Sequence, residues 1–278
     1  MSRARYNTQM FALRKPPPGQ IELAGRRYRL LRVFKHDFFA ATCLYEAENG
    51  PAPNGINKIV VKFGRSQGFC GIPLSWYGRL LRAHEEAVYK ALANVKGVPR
   101  WVGRFGETGY AIEYVEGRPL DHVTVPTARF FDDLRRVFDE IHARGVGYCD
   151  ANKRSNILVA PGGEPFLVDY QLAVRRRDDL PWPLRTIIGR IVRSAAKMDL
   201  YHVYKHKRRM LPDKLTPAEL ALSHRRGVLH TLHRRGTDPW RWLRRRLLRQ
   251  RHRKGALQSP TAELEDHYQP EKATWRES

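Results

Sequence analysis

Three side chains of the kind that bind divalent cations flank one predicted β-hairpin. Asp150 comes before its first strand, Asn156 lies at the start of that strand, and Asp169 ends its second strand. Carboxylate and amide oxygens are hard ligands that suit Mg²⁺, which also needs substrate phosphates to complete its octahedral shell. This spacing predicts a site that holds a divalent metal ion and a nucleophile close together.

A lysine lies inside an otherwise apolar predicted strand, residues 58–63. A buried ammonium group is costly unless an acid pairs with it, so Lys62 needs a carboxylate partner. The helix that follows offers Glu85 and Glu86, which are 23 and 24 residues further along the chain.

The elements that carry these residues form a β-rich first part and a mostly helical second part. Residues 21–115 are mainly strand-like, except for a helical pattern of apolar residues between 73 and 92. Beyond residue 119 helices dominate, and residues 130–144 show one apolar face. Two short strands, 156–160 and 165–169, form the hairpin. The pattern is that of an α+β protein.

The order of these motifs resembles the protein-kinase-like superfamily over roughly residues 28–175. The Asp-x-Asn-Lys-x-x-Asn loop and the Asp-aromatic-Gln triplet resemble its compact bacterial branch, which includes lipopolysaccharide-core (Kdo/heptose) kinases and RIO-like kinases. The resemblance implies a two-lobed α+β fold with a β-rich N-lobe and an abbreviated, mostly helical C-lobe. The matching segments, in order, are Val60-Val61-Lys62, a helix glutamate, residues 112–120, 141–146, 150–159 and 166–169.

The resemblance also implies a role for each matching residue. Lys62 corresponds to the strand lysine that holds the α- and β-phosphates of ATP. Glu85 is its expected partner, because Val88, Tyr89 and Leu92 then face the sheet, whereas Glu86 would shift them by one position. Asp150 corresponds to the acid that orients the attacking hydroxyl and accepts its proton. Asn156 and Asp169 correspond to the Mg²⁺ ligands, and the backbone from Glu113 to Val115 to the adenine-binding hinge.

The implied activity is ATP- and Mg²⁺-dependent transfer of the γ-phosphate to a hydroxyl. The acceptor is either a sugar of an anionic glycolipid core or a protein Ser/Thr. In this class catalysis is mainly positioning and charge neutralisation of a loose in-line transfer.

Four departures from the kinase pattern stand out. Asn156 follows Asp150 by six residues rather than the usual five. Tyr148-Cys149 replace the usual His-Arg, which predicts no switching by phosphorylation of the activation segment. That segment looks short, and its triplet lacks Gly. No Gly-rich loop occurs between residues 33 and 44, where the small residues Ala40, Ala41 and Thr42 are expected to let the backbone approach phosphates.

Two other classes of function stay open. A catalytically inactive, pseudokinase-like binding module agrees with the missing Gly-rich loop, but five retained site residues oppose it. An RNA-associated, RIO-type kinase agrees with the formal charge of +23. That charge favours polyanionic partners in general, such as nucleotides, nucleic acid, anionic lipid or phosphorylated glycans.

Two basic, amphipathic segments suggest surfaces for such partners. Residues 240–254 combine Trp240, Trp242 and Leu243 with many arginines, and residues 184–193 have a similar character. Each is compatible with an anionic membrane surface, with a nucleic-acid backbone, or with a helix docked on the protein with a solvated basic rim. His202 and His206 have the spacing of a helical metal pair. No acid lies between them and no further Cys or His stands at a familiar ligand spacing, so we interpret them as part of a packed or basic helix face.

The composition limits the remaining possibilities. The chain has 278 residues, of which 42% are hydrophobic and 28% charged, so a chain disordered throughout is excluded. Three widely spaced cysteines do not suggest a disulfide framework. We find no spanning helix and no secretory signal, and expect a cytoplasmic protein, with peripheral association at the inner membrane surface as an alternative. The expected division is a flexible extension (1–20), N-lobe (21–115), C-lobe (116–254) and polar tail (255–278).

Overall fold

The computed structural model describes residues 11–48, 50, 55–69, 71–123 and 126–224. Within them the chain forms two compact units. The first comprises the described part of residues 11–86 together with 101–114, and the second comprises 87–100 together with the described part of 115–224. The expected C-terminal basic segment 240–254 and the tail 255–278 lie outside the described residues.

The first unit is a six-stranded antiparallel sheet with the strand order β1-β2-β3-β4-β6-β5. The helix α1, Ser75–Ala91, begins in this unit and its last residues belong to the second. The strands are β1 (Gln20–Leu23), β2 (Arg26–His36), β3 (Ala40–Ala47), β4 (Lys58–Gly64), β5 (Trp101–Phe105) and β6 (Gly109–Glu113).

The side chains of β4 point alternately into the hydrophobic core and to the opposite face of the sheet. Ile59, Val61 and Phe63 are buried in the hydrophobic core of the first unit. Successive strand side chains point to opposite faces, so Lys62 is on the other face of the sheet. That face is covered by α1, whose Glu85 reaches Lys62.

The second unit is mostly helical and contains α2 (Ala128–Ala143), α3 (Leu184–Met210) and α4 (Pro217–His224). Thr127 caps α2 by accepting a hydrogen bond from the Phe130 amide, and Gly145 follows the helix at φ 70°, a left-handed conformation that favours glycine. The short strands are β7 (Arg118–Pro119), β8 (Val146–Gly147), β9 (Ile157–Val159), β10 (Pro165–Leu167) and β11 (Val174–Arg175). They form a three-stranded sheet, β10-β9-β7, and a two-stranded one, β11-β8.

The predicted α+β class, with a β-rich and a mostly helical lobe, is confirmed by this architecture. The helix α2 has the buried apolar face that its periodicity predicts, and β9 and β10 form the predicted hairpin. The strands β1, β3 and β5 lie almost entirely within the region predicted to be strand-like. Their bounds were not predicted individually, because polar or small residues interrupt their apolar pattern.

Residues 11–13, within the expected flexible extension, pack against the first sheet. Phe11 and Ala12 are buried, and the Ala12 amide donates to the Asp37 carbonyl at 2.8 Å. Arg65 donates to the Phe11 carbonyl. In the described part of the chain, no helix combines the length and apolarity that crossing a membrane requires.

Candidate functional site

In the first unit, Lys62 and Glu85 form a partly buried ion pair. Lys62 Nζ lies 2.9 Å from both carboxylate oxygens of Glu85. Tyr110, the cross-strand neighbour of Lys62 in β6, donates its hydroxyl to the same carboxylate. The side chain of Glu85 is only 2% exposed, so these donors stabilise a charge that water barely reaches. Removing one partner of such a pair typically costs about 3–5 kcal/mol, because the other charge stays buried.

The rival carboxylate, Glu86, is engaged elsewhere in the same unit. Its Oε2 accepts hydrogen bonds from Arg82 and Arg104, both at 2.7 Å. Consecutive residues of a helix point about 100° apart, so Glu85 and Glu86 cannot face the same strand. The structure thus pairs Lys62 with Glu85 rather than with Glu86.

In the second unit, Asp150 is the centre of a hydrogen-bonded loop. Asn156 Nδ2 and Lys153 Nζ each donate to Asp150 Oδ2 at 2.8 Å. Burial raises the pKa of Asp150, and the nearby charge of Asp169 adds to that effect, although Lys153 and Asn156 oppose it. Asp150 is therefore hydrogen-bonded to Asn156 and lies close enough to Asp169 to interact with its charge.

A buried acid of α3, Asp199, fixes the backbone just before Asp150. Its oxygens accept from the Tyr148 amide at 2.8 Å and the Cys149 amide at 2.9 Å, and one of them lies 3.0 Å from His142 Nε2. Cys149 has φ 68°, which an L-residue adopts only when the surroundings hold it there. Asp199 was not among the site residues predicted from the sequence. The available signal was that it is the only acid in α3, a helix of otherwise apolar, polar and basic residues.

Asp169 also has a left-handed backbone, with φ 64°. The preceding residue, Val168, is held on both sides: its amide donates to the Asn156 carbonyl at 3.0 Å, and its carbonyl accepts from the Tyr148 hydroxyl. Tyr148 is fully buried, and burial raises its pKa well above the ordinary value, so it stays a donor. These contacts tie the residue before Asp169 to the loop that carries Asp150 and Asn156.

The turn between β2 and β3 is held by a carboxylate of its own residues. The Asp37 carboxylate accepts from the amides of Phe39 at 2.8 Å and Ala40 at 3.0 Å. Burial opposes ionisation of Asp37, but Lys35 and these two amides outweigh it and lower its pKa. A carboxylate of the protein itself thus engages the Phe39 and Ala40 amides. Ala40 and Ala41 are buried strand residues.

The fully buried Arg65 holds this turn in place. Arg65 donates to the carbonyls of Phe38 at 2.8 Å and Gly68 at 3.0 Å, and its guanidinium lies 3.9 Å from the centroid of the Phe38 ring. Burial lowers its pKa. Arg65 was also missed by the sequence analysis, because a lone basic residue after a strand normally indicates a solvated side chain.

The proposed hinge residues begin at the end of β6. Glu113 pairs in register with Ile59 of β4, and the Tyr114 amide donates to the Lys58 carbonyl at 3.1 Å. The ring of Tyr114 stacks on Phe34 of β2 at 6.4 Å between centroids. Val115 is half-buried and is counted with the second unit. An adenine-binding role for Glu113 and Val115 stays a prediction.

His206 and Cys149 lie in surroundings that favour a structural role. His206 is buried and lies 2.8 Å from the Ala151 carbonyl, and burial lowers its pKa to about 4. Burial and the charge of Asp199 raise the pKa of Cys149 to about 12, so its thiol stays protonated at neutral pH. Among the described residues, no group of three or more His, Cys, Asp or Glu side chains could hold a metal ion. A cation beside Asp150 and Asp169 would also need Asn156 and the phosphates of a ligand as donors. This donor set suits Mg²⁺.

Comparison with solved structures finds kinases of similar fold at low sequence identity. Among solved structures, the chain is similar to Rio2 kinase from Chaetomium thermophilum in a complex described as ADP/Mg²⁺-phosphoaspartate. The identity is 17% and the TM-score 0.48, over 69% of this chain and 60% of that one. A second structure of the same kinase gives 18% identity and a TM-score of 0.45, over 66% and 59%. The BubR1 kinase domain gives 12% identity and a TM-score of 0.46, over 72% of this chain and 66% of that one.

These similarities concern the fold. The chain spans about 60% of the length of the two Rio2 kinase structures. No protein-family model matches the chain, and no curated protein matches it in sequence.

Proposed function

We propose that this protein is an ATP- and Mg²⁺-dependent phosphotransferase that transfers the γ-phosphate to a hydroxyl group. The observation that carries the proposal is the loop around Asp150. A carboxylate with a raised pKa is held there by Asn156 and Lys153, on a backbone that the buried Asp199 fixes. Such an arrangement costs stability, so a chemical role accounts for it better than a structural one.

Each residue has a role in the proposed reaction. Asp150 orients the acceptor hydroxyl and takes up its proton. As the new O–P bond forms, the bond between the γ-phosphorus and the oxygen bridging it to the β-phosphate breaks, and ADP leaves. Lys62, held by Glu85, binds the α- and β-phosphates. Asn156 and Asp169 hold Mg²⁺, which, when bound, supplies charge neutralisation for the phosphoryl oxygens.

The acceptor in this proposal is a sugar hydroxyl of an anionic glycolipid core or a protein Ser/Thr. The segment between β11 and α3, residues 176–183, is only eight residues long. A short segment offers little platform for an extended peptide, which favours the sugar. The strongly basic chain also favours an anionic acceptor.

A pseudokinase-like binding module is the second candidate. The observation that favours it is the Asp37 carboxylate on the Phe39 and Ala40 amides, because these amides are then engaged within the protein. The retained Lys62–Glu85 pair and the Asp150 loop oppose it.

The test is thermal unfolding with ATP, with and without Mg²⁺, for the wild type and Asp169→Asn. A ligand at 100 times its Kd stabilises by about 2.7 kcal/mol, which corresponds to a rise in Tm of roughly 5–10 °C. We expect a Mg²⁺-dependent rise that Asp169→Asn loses and that the control Asp178→Asn keeps. Asp178 is exposed and paired with Arg176.

Two results would contradict the proposal. If millimolar ATP with Mg²⁺ leaves Tm unchanged, there is no competent nucleotide site. If Asp169→Asn keeps the full Mg²⁺-dependent rise, Asp169 is not a metal ligand.

A further inference from the structure

The start of α3 exposes a stripe of large apolar side chains to solvent. Leu184, Ile187 and Ile191 are 50%, 48% and 49% exposed, and Trp182, just before the helix, is 76% exposed. Positions three and four apart share one helix face, so the three aliphatic residues form a continuous stripe. Single exposed apolar residues are ordinary, but a contiguous stripe with an aromatic residue at its end indicates an interaction surface.

The opposite side of the same helix is firmly packed. Gly189, Val192 and Ala195 are buried, and a side chain at Gly147 of β8 would meet the Ala195 methyl at 2.5 Å. Further along, the buried Asp199 binds the loop before Asp150. The exposed stripe is therefore presented by a helix held in place on its other side.

Basic residues flank the stripe without acidic neighbours. Arg185, Arg190, Arg193 and Lys197 are exposed, and none of them makes an ion pair within the described ranges. Residues 180–198 contain no Asp or Glu. The nearest acids before the helix, Asp178 and Asp179, are already paired with Arg176 and Arg177.

We propose that this α3 face, defined by Trp182, Leu184, Ile187 and Ile191 with Arg185, Arg190 and Arg193, binds the surface of an anionic lipid bilayer. Apolar side chains enter the boundary between headgroups and acyl chains, an exposed tryptophan sits at headgroup level, and arginines pair with lipid phosphates. A nucleic-acid backbone would match the arginines but would leave three exposed aliphatic side chains without a complement. The inference is independent of the nucleotide chemistry proposed above.

The experiment is co-sedimentation of the full chain with vesicles of phosphatidylcholine alone and of phosphatidylcholine with about one third phosphatidylglycerol. We expect binding to the anionic vesicles that is stronger than to the neutral ones and weakens with salt. Ile187→Ser/Ile191→Ser should lower partitioning at least about tenfold. Arg190→Gln/Arg193→Gln should lower it about 25-fold, since each basic residue near the surface contributes about fivefold.

Matched controls come from the first unit. Ile72 and Leu80 are 59% and 57% exposed, so Ile72→Ser/Leu80→Ser removes the same kind of exposed aliphatic surface elsewhere. Arg27→Gln/Arg29→Gln removes two exposed charges from β2. Both controls should bind anionic vesicles as the wild type does, and all variants should keep the wild-type Tm.

Four outcomes would overturn the inference. The α3 variants could bind like the wild type, which would place any membrane contact in another part of the chain. The control variants could lose as much binding to anionic vesicles as the α3 variants, which would indicate non-specific adsorption. Neutral vesicles could bind equally well. Finally, the protein could bind no vesicles but be retained on RNA, and Arg190→Gln/Arg193→Gln could be the only variant that loses this retention. That result would make the α3 face a nucleic-acid surface.

Discussion

Asp150 and Asp199 are both buried carboxylates of the second unit, but their hydrogen-bond partners differ in kind. Asp199 accepts from two backbone amides and lies beside His142, so it holds a loop in shape. Asp150 is bound by two side chains, Lys153 and Asn156, and interacts unfavourably with Asp169. Its surroundings fit a group that changes its charge during a reaction.

Asp150→Asn should abolish phosphotransfer while nucleotide binding stays nearly intact. General-base catalysis contributes about 10²–10⁴-fold, so the rate of ATP-dependent transfer should fall by at least about 100-fold. Because burial raises the pKa of Asp150, its ionised form costs folding free energy at neutral pH. The variant should therefore have an unchanged or higher Tm.

The control for this variant is Asp133→Asn on α2, which removes an acid that forms ion pairs with Arg129 and Arg136. It should keep full activity. Full activity in Asp150→Asn itself would exclude Asp150 as the base.

At the scale of elements, α3 organises the loop around Asp150 from both sides. Asp199 binds the backbone before it, and His206, two helical turns later, contacts the Ala151 carbonyl after it. Since a carbonyl only accepts, His206 donates through Nε2 as the neutral tautomer. Burial and the charges of Lys205, Arg154 and Arg209 lower its pKa to about 4.

His206 should therefore make the fold sensitive to mild acid. The unfolded chain binds this proton near pH 6.5 and the folded chain only near pH 4, so the stabilising contribution is complete above pH 6.5 and is lost as the pH falls toward 4. The loss should reach roughly 3 kcal/mol. Denaturant unfolding at pH values from 7 to 4 measures it.

His206→Gln keeps a donor for the Ala151 carbonyl but does not titrate, so its stability should fall less over this interval than that of the wild type. His84→Gln on α1 is the control and should follow the wild type. Equal pH profiles for His206→Gln and the wild type would show that His206 does not limit stability in acid.

At the scale of the whole molecule, the formal charge of +23 opposes the compact state. Self-repulsion of like charges destabilises a folded chain, and salt screens it over a Debye length of about 10 Å at 0.1 M. The many surface ion pairs weaken as well, but each contributes only about 0–1 kcal/mol.

Tm should therefore rise by a few degrees when NaCl is raised from about 20 to about 300 mM. Scanning calorimetry at constant pH checks this, with a matched concentration of sucrose as the control for general solute effects. A fall in Tm over the same range would mean that local ion pairs outweigh the net charge.

The features that depend on near neighbours in the chain could be predicted from the sequence. The apolar face of α2, the β9–β10 hairpin and the alternation in β4 that leaves Lys62 opposite the core all follow from periods of two or 3.6 residues. These patterns were sufficient for the α+β class and for the positions of Lys62, Asp150, Asn156 and Asp169.

The groups that meet across large separations in the chain could not be predicted from the sequence. Arg104 binds Glu86 across 18 residues, Asp199 binds the amides before Asp150 across 50, and Arg65 reaches Phe11 across 54. Similarly, Asp37 could have been a solvated turn residue, and its contacts with the Phe39 and Ala40 amides depend on how β2 and β3 are joined. The physical reason is that a hydrogen bond or ion pair depends on distance in space, and local periodicity carries no information on which distant segments the core brings together.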